Sequence, residues 1–399
     1  MAANAVIALG YGLIAPALPL FANTFGVTFT AVSAVVSAFA VMRLLFAPAT
    51  GRLVTLLGER RIYLTGLAIV AVSTLACAFA HSYWQLLVFR GAGGIGSTMF
   101  SISAMALLIR LAPPDLRGRA SGYFSAGFLI GSLTGPLVGA ALIGFGLKLP
   151  FVVYAVALVI AAVGVALALP TVPAPATETA PAGDEPPTEH AAAPIAVPVT
   201  QALRDGSYRA ILASNFAQGW ASMGVRVALV PLFIKEGLGE SDRWAGLILA
   251  FYAAGNIVAI LVAGRLSDRF GRRPVMLPGL AIATASTLTL GFSPNLAVAA
   301  ALTVVAGIGS GLFAPTHQAA LGDVLGTRQR GGSALAAYGM SSDLGAVTGP
   351  LAAGAVATAW GFGPAFVLTG AVCGVAFVAW LFARDTLHRV PLAAVTPTG

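Results

Sequence analysis

Hydrophobic runs of about 20 residues recur along the whole chain, with short polar segments between them. A helix of ~20 apolar residues crosses the ~30 Å hydrocarbon core of a bilayer. The pattern therefore predicts an all-α, multi-pass membrane protein. Twelve predicted spans cover 3–22, 28–50, 62–80, 84–109, 120–143, 150–169, 209–234, 244–263, 274–292, 296–321, 332–358 and 363–382.

A polar segment at 171–206 divides this pattern in the middle, and seven prolines lie between Pro173 and Pro198. Such a composition buries too little apolar surface to fold. We expect a flexible cytoplasmic linker there. It joins an N-terminal six-helix bundle at 1–170 to a C-terminal six-helix bundle at 207–385, and a cytoplasmic tail follows at 386–399.

The two predicted bundles repeat each other. Six spans return the chain to the face where it started, so the repeat is parallel and its axis runs along the membrane normal. Matching residues recur at offsets of 212–214: Pro19 as Pro231, Gly51 as Gly264, Gly135 as Gly349, and Pro150 as Pro364.

Charged residues make up 9% of the chain and hydrophobic residues 58%, whereas soluble domains are about a quarter charged. Sixteen cations fall on one face of the predicted topology, against Lys148, Lys235 and Arg243 on the other. The positive-inside rule then places both termini in the cytoplasm. This asymmetry accounts for the net charge of +8 without a nucleic-acid partner. The Arg-, Ala- and Gly-rich composition is typical of a bacterial cytoplasmic membrane protein from a GC-rich genome.

The chain carries no motif for ATP-driven or metal-dependent chemistry: no Walker loop, no His/Cys cluster and no His-Glu-x-x-His. Cys77 and Cys373 lie in apolar runs, and we expect them to pack rather than bind metal. The sequence thus predicts a protein that is not an enzyme and has no metal or cofactor. Pro16 and Pro19 interrupt the first apolar run, and no basic segment precedes it, so we expect no cleaved signal peptide.

One loop, residues 264–273 (GRLSDRFGRR), gathers five charges between two apolar runs. A degraded copy at 51–61 has Thr55 where the first has Asp268. The charges either only fix the topology or also form a gate. In the second case Asp268 would cap a helix or pair with arginines, and this contact would break when the two bundles rock.

These features resemble the major facilitator superfamily, and the resemblance spans essentially the whole chain. Residues 264–273 are similar to its signature loop, Gly-x-Leu-x-Asp-Arg-x-Gly-Arg-Arg. That similarity implies a gating role for Gly264, Asp268, Arg269, Gly271, Arg272 and Arg273. Arg90, followed by Gly93, Gly94 and Gly96, looks like the family motif whose arginine is implicated in proton coupling.

The fifth predicted span carries a glycine pattern that resembles the family's antiporter motif and departs from it at Ala140. The glycines would form a close helix contact, and Pro136 would permit a bend. A plain packing face accounts for them equally well. The resemblance implies that the protein belongs to the 12-span drug:proton antiporter branch of the family. The residues of the motif are Gly122, Gly131, Gly135, Pro136 and Gly139.

Ionisable residues inside predicted spans are costly in the bilayer and indicate function by default. A proton carrier must change charge, which arginine effectively cannot do. We therefore expect Asp343 to be the proton site, with His317 as the second candidate and Arg90 in support. The alternatives are a permanent ion pair that locks spans together for Asp343 and a hydrogen-bonded packing role for His317.

Three embedded arginines and one aspartate favour neutral or anionic substrates over lipophilic cations, unless the arginines are buried outside the cavity. No acidic residue lies in the first six predicted spans, where cationic-drug antiporters often carry one. Polar and aromatic residues of the spans are candidates to line a substrate cavity: Arg43, Arg226, Tyr11, Asn215, Gln218, Trp220, Tyr252 and Asn256.

The sequence thus predicts a secondary active transporter that alternates access between the two bundles. We expect it to export amphipathic, drug-like small molecules by proton antiport. The expected partners are the small-molecule substrate, the lipid bilayer and the proton as coupling ion, and the expected state is a monomer. A proton-coupled importer of an organic anion and a transport-dead membrane sensor or scaffold remain alternatives.

Overall fold

The computed structural model describes residues 2–111, 127, 131, 134–168, 198–326 and 332–387. These residues form helices at the places of all twelve predicted spans, and no strand is found among them. In the N-terminal half the helices are α1 (Ala2–Asn23), α2 (Phe29–Leu57), α3 (Glu59–Ala78), α4 (Tyr83–Leu111), α5 (Thr134–Ile143) and α6 (Leu149–Ala168). In the C-terminal half they are α7 (Gly206–Gly237), α8 (Asp242–Phe270), α9 (Arg272–Leu290), α10 (Leu296–Leu325), α11 (Ser333–Trp360) and α12 (Phe362–Phe382).

Within the described residues, nine helices are long and apolar enough to cross a membrane. The other three are α5, α9 and α11. Helix α7 contains two π-helical segments, Gly219–Val225 and Phe233–Gly237. A short helix, Val199–Ala202, precedes α7 within the segment predicted to be a linker. Gly122 and most of the predicted linker and tail lie outside the described residues.

The repeat is visible in the turns that join α2 to α3 and α8 to α9. Gly58 and Gly271 occupy equivalent places, with φ of 83° and 101°. The backbone N–H of Gly58 donates to the carbonyl of Val54, and that of Gly271 donates to the carbonyl of Ser267. Only glycine adopts this backbone region without strain. A single residue can therefore reverse the chain in both arginine-rich loops.

The two halves meet at the face opposite these loops. Asn23 Nδ2 donates to Glu236 Oε1 at 2.8 Å, and the hydroxyls of Thr30 and Thr358 lie 3.0 Å apart. Deeper along α2, Ser37 Oγ donates to a carbonyl of α11. The backbone N–H of Thr30 also donates to the hydroxyl of Thr358 at 3.1 Å. Among the described residues, these four hydrogen bonds join the two halves. The structure is therefore closed at the face of Asn23 and Glu236.

Candidate functional site

A cavity of about 280 Å³ lies between the halves. Helices α1, α2, α3, α4 and α6 of the N-terminal half and α7 and α11 of the C-terminal half contribute to its walls. Most of the lining side chains are apolar. Its lining residues on α2 and α11 lie between the closed face and the arginine-rich loops. We call it the central cavity.

Three ionisable residues predicted to be functional line the central cavity: Arg43 on α2, Arg90 on α4 and Asp343 on α11. The guanidinium of Arg90 stacks on the ring of Phe39, 4.1 Å from its centroid. The Nε atoms of both arginines are buried and have no hydrogen-bond partner. Asp343 faces Arg43 across the interface and interacts with its charge, without a direct ion pair. The cavity thus carries two cations on the N-terminal half and one carboxylate on the C-terminal half.

Two tyrosines, Tyr11 and Tyr154, lie near Arg90 in this cavity. Tyr11, predicted as a cavity residue, lines the central cavity beside Tyr154 of α6, whose hydroxyl donates to the carbonyl of Ile7 at 3.4 Å. Sequence reasoning missed Tyr154 and Phe39. Phe39 precedes Arg43 by four residues and so shares its helix face, a signal that was available. Nothing in the sequence pairs Tyr154 with Arg90.

The structure does not bring His317 to the central cavity. It is buried in α10, between the rings of Phe313 at 6.0 Å and Tyr338 at 5.9 Å. Its Nδ1 atom has no hydrogen-bond partner. The burial agrees with the packing alternative for this residue, but Nδ1 lacks the hydrogen bond that this alternative expected.

Two further cavity candidates, Arg226 and Tyr252, line a different, smaller cavity inside the C-terminal half. The guanidinium of Arg226 lies over the ring of Tyr252, 3.4 Å from the centroid. The hydroxyl of Tyr252 shares a 2.8 Å hydrogen bond with Ser222. We call this space the Arg226 cavity.

The four other candidates make contacts within the C-terminal half, and none of them lines the central cavity. Asn215 donates to the carbonyl of Tyr338 at 2.6 Å and to Ser341 at 2.9 Å. Gln218 accepts from Ser310 at 3.0 Å. Asn256 on α8 donates to the carbonyl of Gly307 on α10 at 3.4 Å. The rings of Trp220 and Phe216 are tilted, with their centroids 5.8 Å apart.

In the signature loop, Arg272 is the centre of a charged cluster. Its guanidinium donates to Asp268, to Ser267 at 2.7 Å and to Asp323 of α10 at 2.8 Å. Asp385 accepts from the backbone N–H of Arg272 at 3.3 Å. The acid of the loop thus pairs with an arginine, as the sequence suggested. The described contacts stay within the C-terminal half and do not cross to the other half.

Other loop residues anchor the same hairpin. Arg273 donates to the carbonyls of Trp380 at 3.2 Å and Leu381 at 2.6 Å, while Arg269 lies beside the ring of Phe270. In the N-terminal copy, Arg60 donates to the carbonyl of Ala166 at 2.7 Å. Arg60 and Arg273 are equivalent in the repeat, so both halves tie this loop to the end of their sixth helix.

The fifth-span glycines pack α5 against α1. A Cβ on Gly135 would lie 2.5 Å from the carbonyl oxygen of Leu9, and one on Gly139 would lie 2.6 Å from that of Leu13. Side chains there would push the helices apart. Gly131 is buried. The pattern therefore forms a close helix contact within one half.

The C-terminal half repeats this contact between α7 and α11. A Cβ on Gly12 would lie 2.7 Å from Pro136 Cδ, and a Cβ on Gly224 would lie 2.7 Å from Pro350 Cδ. The glycine–proline contact is thus a property of the repeat as well as of the fifth span.

Comparisons with known proteins agree with this architecture. The profile of the Major Facilitator Superfamily matches residues 1–225 and 211–397. The quinolone resistance protein NorA of Staphylococcus aureus is 30% identical over 146 residues, which are 37% of this chain and 38% of NorA. The synaptic vesicular amine transporter of Bos taurus is 27% identical over 330 residues, which are 81% of this chain and 60% of that protein. The matches thus span less than two thirds of either relative.

Solved structures share the fold at low identity. The D-xylose–proton symporter superposes with a TM-score of 0.74 at 16% identity and covers 96% of this chain and 97% of its own. A bacterial homologue of the human lysosomal transporter Spinster, inward-facing and occupied, has a TM-score of 0.72 at 16% identity and covers 95% of each chain. With two six-helix halves, a cavity between them and a family profile that matches each half, the chain belongs to the Major Facilitator Superfamily of membrane transporters.

Proposed function

We propose that this chain exports amphipathic small molecules across the bacterial cytoplasmic membrane by proton antiport with alternating access. The observation that carries the proposal is the placement of Asp343 in the central cavity, opposite Arg43. A carboxylate there can bind or release a proton while the apolar walls hold a hydrophobic body.

The proton site lies where the two halves face each other. Asp343 belongs to α11 and Arg43 to α2, and the contact between these helices closes one face of the molecule. Protonation of Asp343 removes its attraction to Arg43. The protonation state therefore changes the interaction between the halves, which is what a coupled rocking motion requires.

The orientation follows from the arginine-rich loops. The positive-inside rule puts these loops in the cytoplasm, so the closed face of Asn23 and Glu236 is external. The central cavity then belongs to the state that takes substrate from the cytoplasm. This is the state in which an exporter binds its cargo.

Two relatives support export. NorA is named for quinolone resistance, and the bovine relative is a vesicular amine transporter. The close α1–α5 contact at Gly135 and Gly139, in the span that resembles the antiporter motif, is further support.

The second candidate function is proton-coupled import of an organic anion, and Arg43 and Arg90 favour it because both guanidinium groups reach the cavity. Charge linkage separates the two functions. An anion that engages Arg43 leaves Asp343 without its cationic neighbour, so the anion and a proton bind together and travel in the same direction. A substrate whose cationic end pairs with Asp343 excludes the proton, so the two travel in opposite directions.

Transport in vesicles decides between these functions. Purified protein is reconstituted into liposomes with an imposed pH gradient, and the fluxes of a cationic amphipathic dye and of an anionic one are followed with and without an uncoupler. Antiport predicts uncoupler-sensitive movement of the cationic dye against the proton flow. Anionic dye that moves together with protons would support import instead. If neither dye moves faster than in protein-free liposomes, the sensor or scaffold alternative gains and the export proposal fails.

A further inference from the structure

The Arg226 cavity is lined by helices of the C-terminal half alone and is separate from the central cavity. Its walls come from α7, α8, α9, α10 and α12, and its volume is about 40 Å³. A single water needs ~10–15 Å³ by a comparable measure. The space therefore holds about three waters or one small ion, and it is too small for a drug-like molecule.

Arg226 brings a positive charge into this cavity. Its Nη1 atom is buried and has no hydrogen-bond partner. Among the described residues, no carboxylate pairs with it. The ring of Tyr252 satisfies one face of the guanidinium. The side chain is only partly exposed and no described carboxylate offsets its charge, so an anion in the cavity stabilises the guanidinium.

The hydroxyl groups of the cavity leave a few donors for such an anion. Thr303 and Thr369 donate to carbonyls of their own helices. Ser222 and Tyr252 share one hydrogen bond at 2.8 Å, and the Ser222 hydroxyl also lies 3.5 Å from Gln218 Oε1 and 3.4 Å from the Ser310 hydroxyl. The Tyr252 O–H is therefore available to an anion when Ser222 donates to Tyr252. Thr287 also lines the cavity. Arg226, Thr287 and Tyr252 thus line one small space.

Arg226 lies directly after a widened stretch of α7. This stretch is the π-helical segment Gly219–Val225, and such wide turns are frequent at functional sites. Its equivalent in the N-terminal half, at the repeat offset of 212, is Ile14, which lines the central cavity. Arg226 lines the smaller cavity instead.

We propose that the Arg226 cavity binds a small monovalent anion of halide size, held by Arg226, Thr287 and the Tyr252 hydroxyl. The anion neutralises the guanidinium inside the C-terminal half. This site does not depend on the direction of transport or on the substrate of the central cavity.

The test is thermal unfolding of the purified full-length protein, followed by the fluorescence of its five tryptophans. Melting is compared in sodium chloride, sodium bromide and sodium gluconate at equal ionic strength, because gluconate is too large for the cavity. We expect chloride and bromide to raise the melting temperature by about 2–4 °C in a saturable manner. Equal melting in all three salts would overturn the proposal.

Three variants locate the anion. The halide-dependent shift should disappear in Arg226→Gln and persist in Arg265→Gln, which removes an exposed arginine of the signature loop. A shift that persists in Arg226→Gln but disappears in Arg90→Gln places the anion in the central cavity and contradicts the proposal. Bromide also gives a test that needs no variant: crystals of the wild-type protein should show an anomalous peak beside Arg226, and a map without that peak rejects the site.

Discussion

Arg110 at the end of α4 lies 2.9 Å from Glu59 at the start of α3, and this ion pair is repeated in the other half with its charges exchanged. At the repeat offset of 213, the equivalent residues are Asp323 and Arg272, which lie 2.8 Å apart. The repeat has therefore kept the ion pair, which joins the fourth helix of each half to the third, while the sign at each end is reversed.

The reversal matters because helix termini carry partial charges. Glu59 in the first turn of α3 and Arg110 in the last turn of α4 both oppose the charge of their helix end, which is favourable. Arg272 and Asp323 have the unfavourable sign at the corresponding ends. Additional acids compensate in the C-terminal half, among them Asp268, which pairs with Arg272. This gives a physical reason why Thr55 can stand in the N-terminal half where Asp268 stands in the other.

Charge reversal of the N-terminal pair tests this account. Glu59→Arg or Arg110→Glu alone should lower the free energy of unfolding by about 1–3 kcal/mol, because one charge loses its partner. The double variant restores the pair but places each charge at a helix end that carries a partial charge of the same sign, which is unfavourable. It should recover most of the loss and stay about 0.5–1 kcal/mol per end below wild type. Melting of the four proteins measures the cycle, and additive losses would refute the pairing.

Asp268→Asn should separate the structural role of the signature loop from its role in transport. The side chain of Asp268 is 70% exposed and Arg272 keeps Asp323, so the free energy of unfolding should fall by less than ~1 kcal/mol. We expect turnover in liposomes to fall because the loop loses its acid during the conformational cycle. If turnover equals that of wild type, the loop serves topology alone.

The sequence predicted the helices and their repeat because lipid imposes a strong hydropathy signal. It was less accurate at their ends. The span predicted to end at 263 continues as α8 to Phe270, since the helix extends into the polar boundary where charged residues are tolerated. The charge interaction between Arg43 and Asp343 was beyond sequence reasoning, because 300 positions separate them and only the packing of the two halves brings them near each other. By contrast, the offset of 213 could have paired Glu59 and Arg110 with Arg272 and Asp323.

A disulfide between α2 and α11 should lock the closed face. The hydroxyls of Thr30 and Thr358 lie 3.0 Å apart, so Thr30→Cys with Thr358→Cys brings two thiols within reach of a bond. The native Cys77 and Cys373 are buried and should not interfere. We expect oxidation to stop transport and a reductant to restore it, whereas either single variant should be insensitive to oxidation. Full transport by the cross-linked protein would contradict alternating access at this face.

Asp343→Asn and His317→Gln form a matched pair for the proton site. Asparagine keeps the size of Asp343 but has no charge and cannot exchange a proton, so proton-driven transport of the cationic dye should be lost and its binding weakened. His317 lies outside the central cavity; its variant should retain proton coupling, with any loss confined to stability. Dye flux against an imposed pH gradient measures both. Intact coupling in Asp343→Asn, or its loss in His317→Gln alone, would reverse the assignment.

Alanine at Gly135 tests whether the fifth-span contact does more than pack. Its Cβ would meet the backbone of α1 at 2.5–2.7 Å, so the helices must separate, and we expect a loss of about 1–3 kcal/mol of stability. Gly164→Ala on α6 has open space and should instead gain about 0.5–1 kcal/mol. Gly349→Ala disturbs the equivalent contact against Trp220. If the N-terminal contact limits proton leak, an imposed pH gradient should decay faster with Gly135→Ala than with Gly349→Ala at matched loss of stability. Equal decay would make both contacts ordinary helix packing.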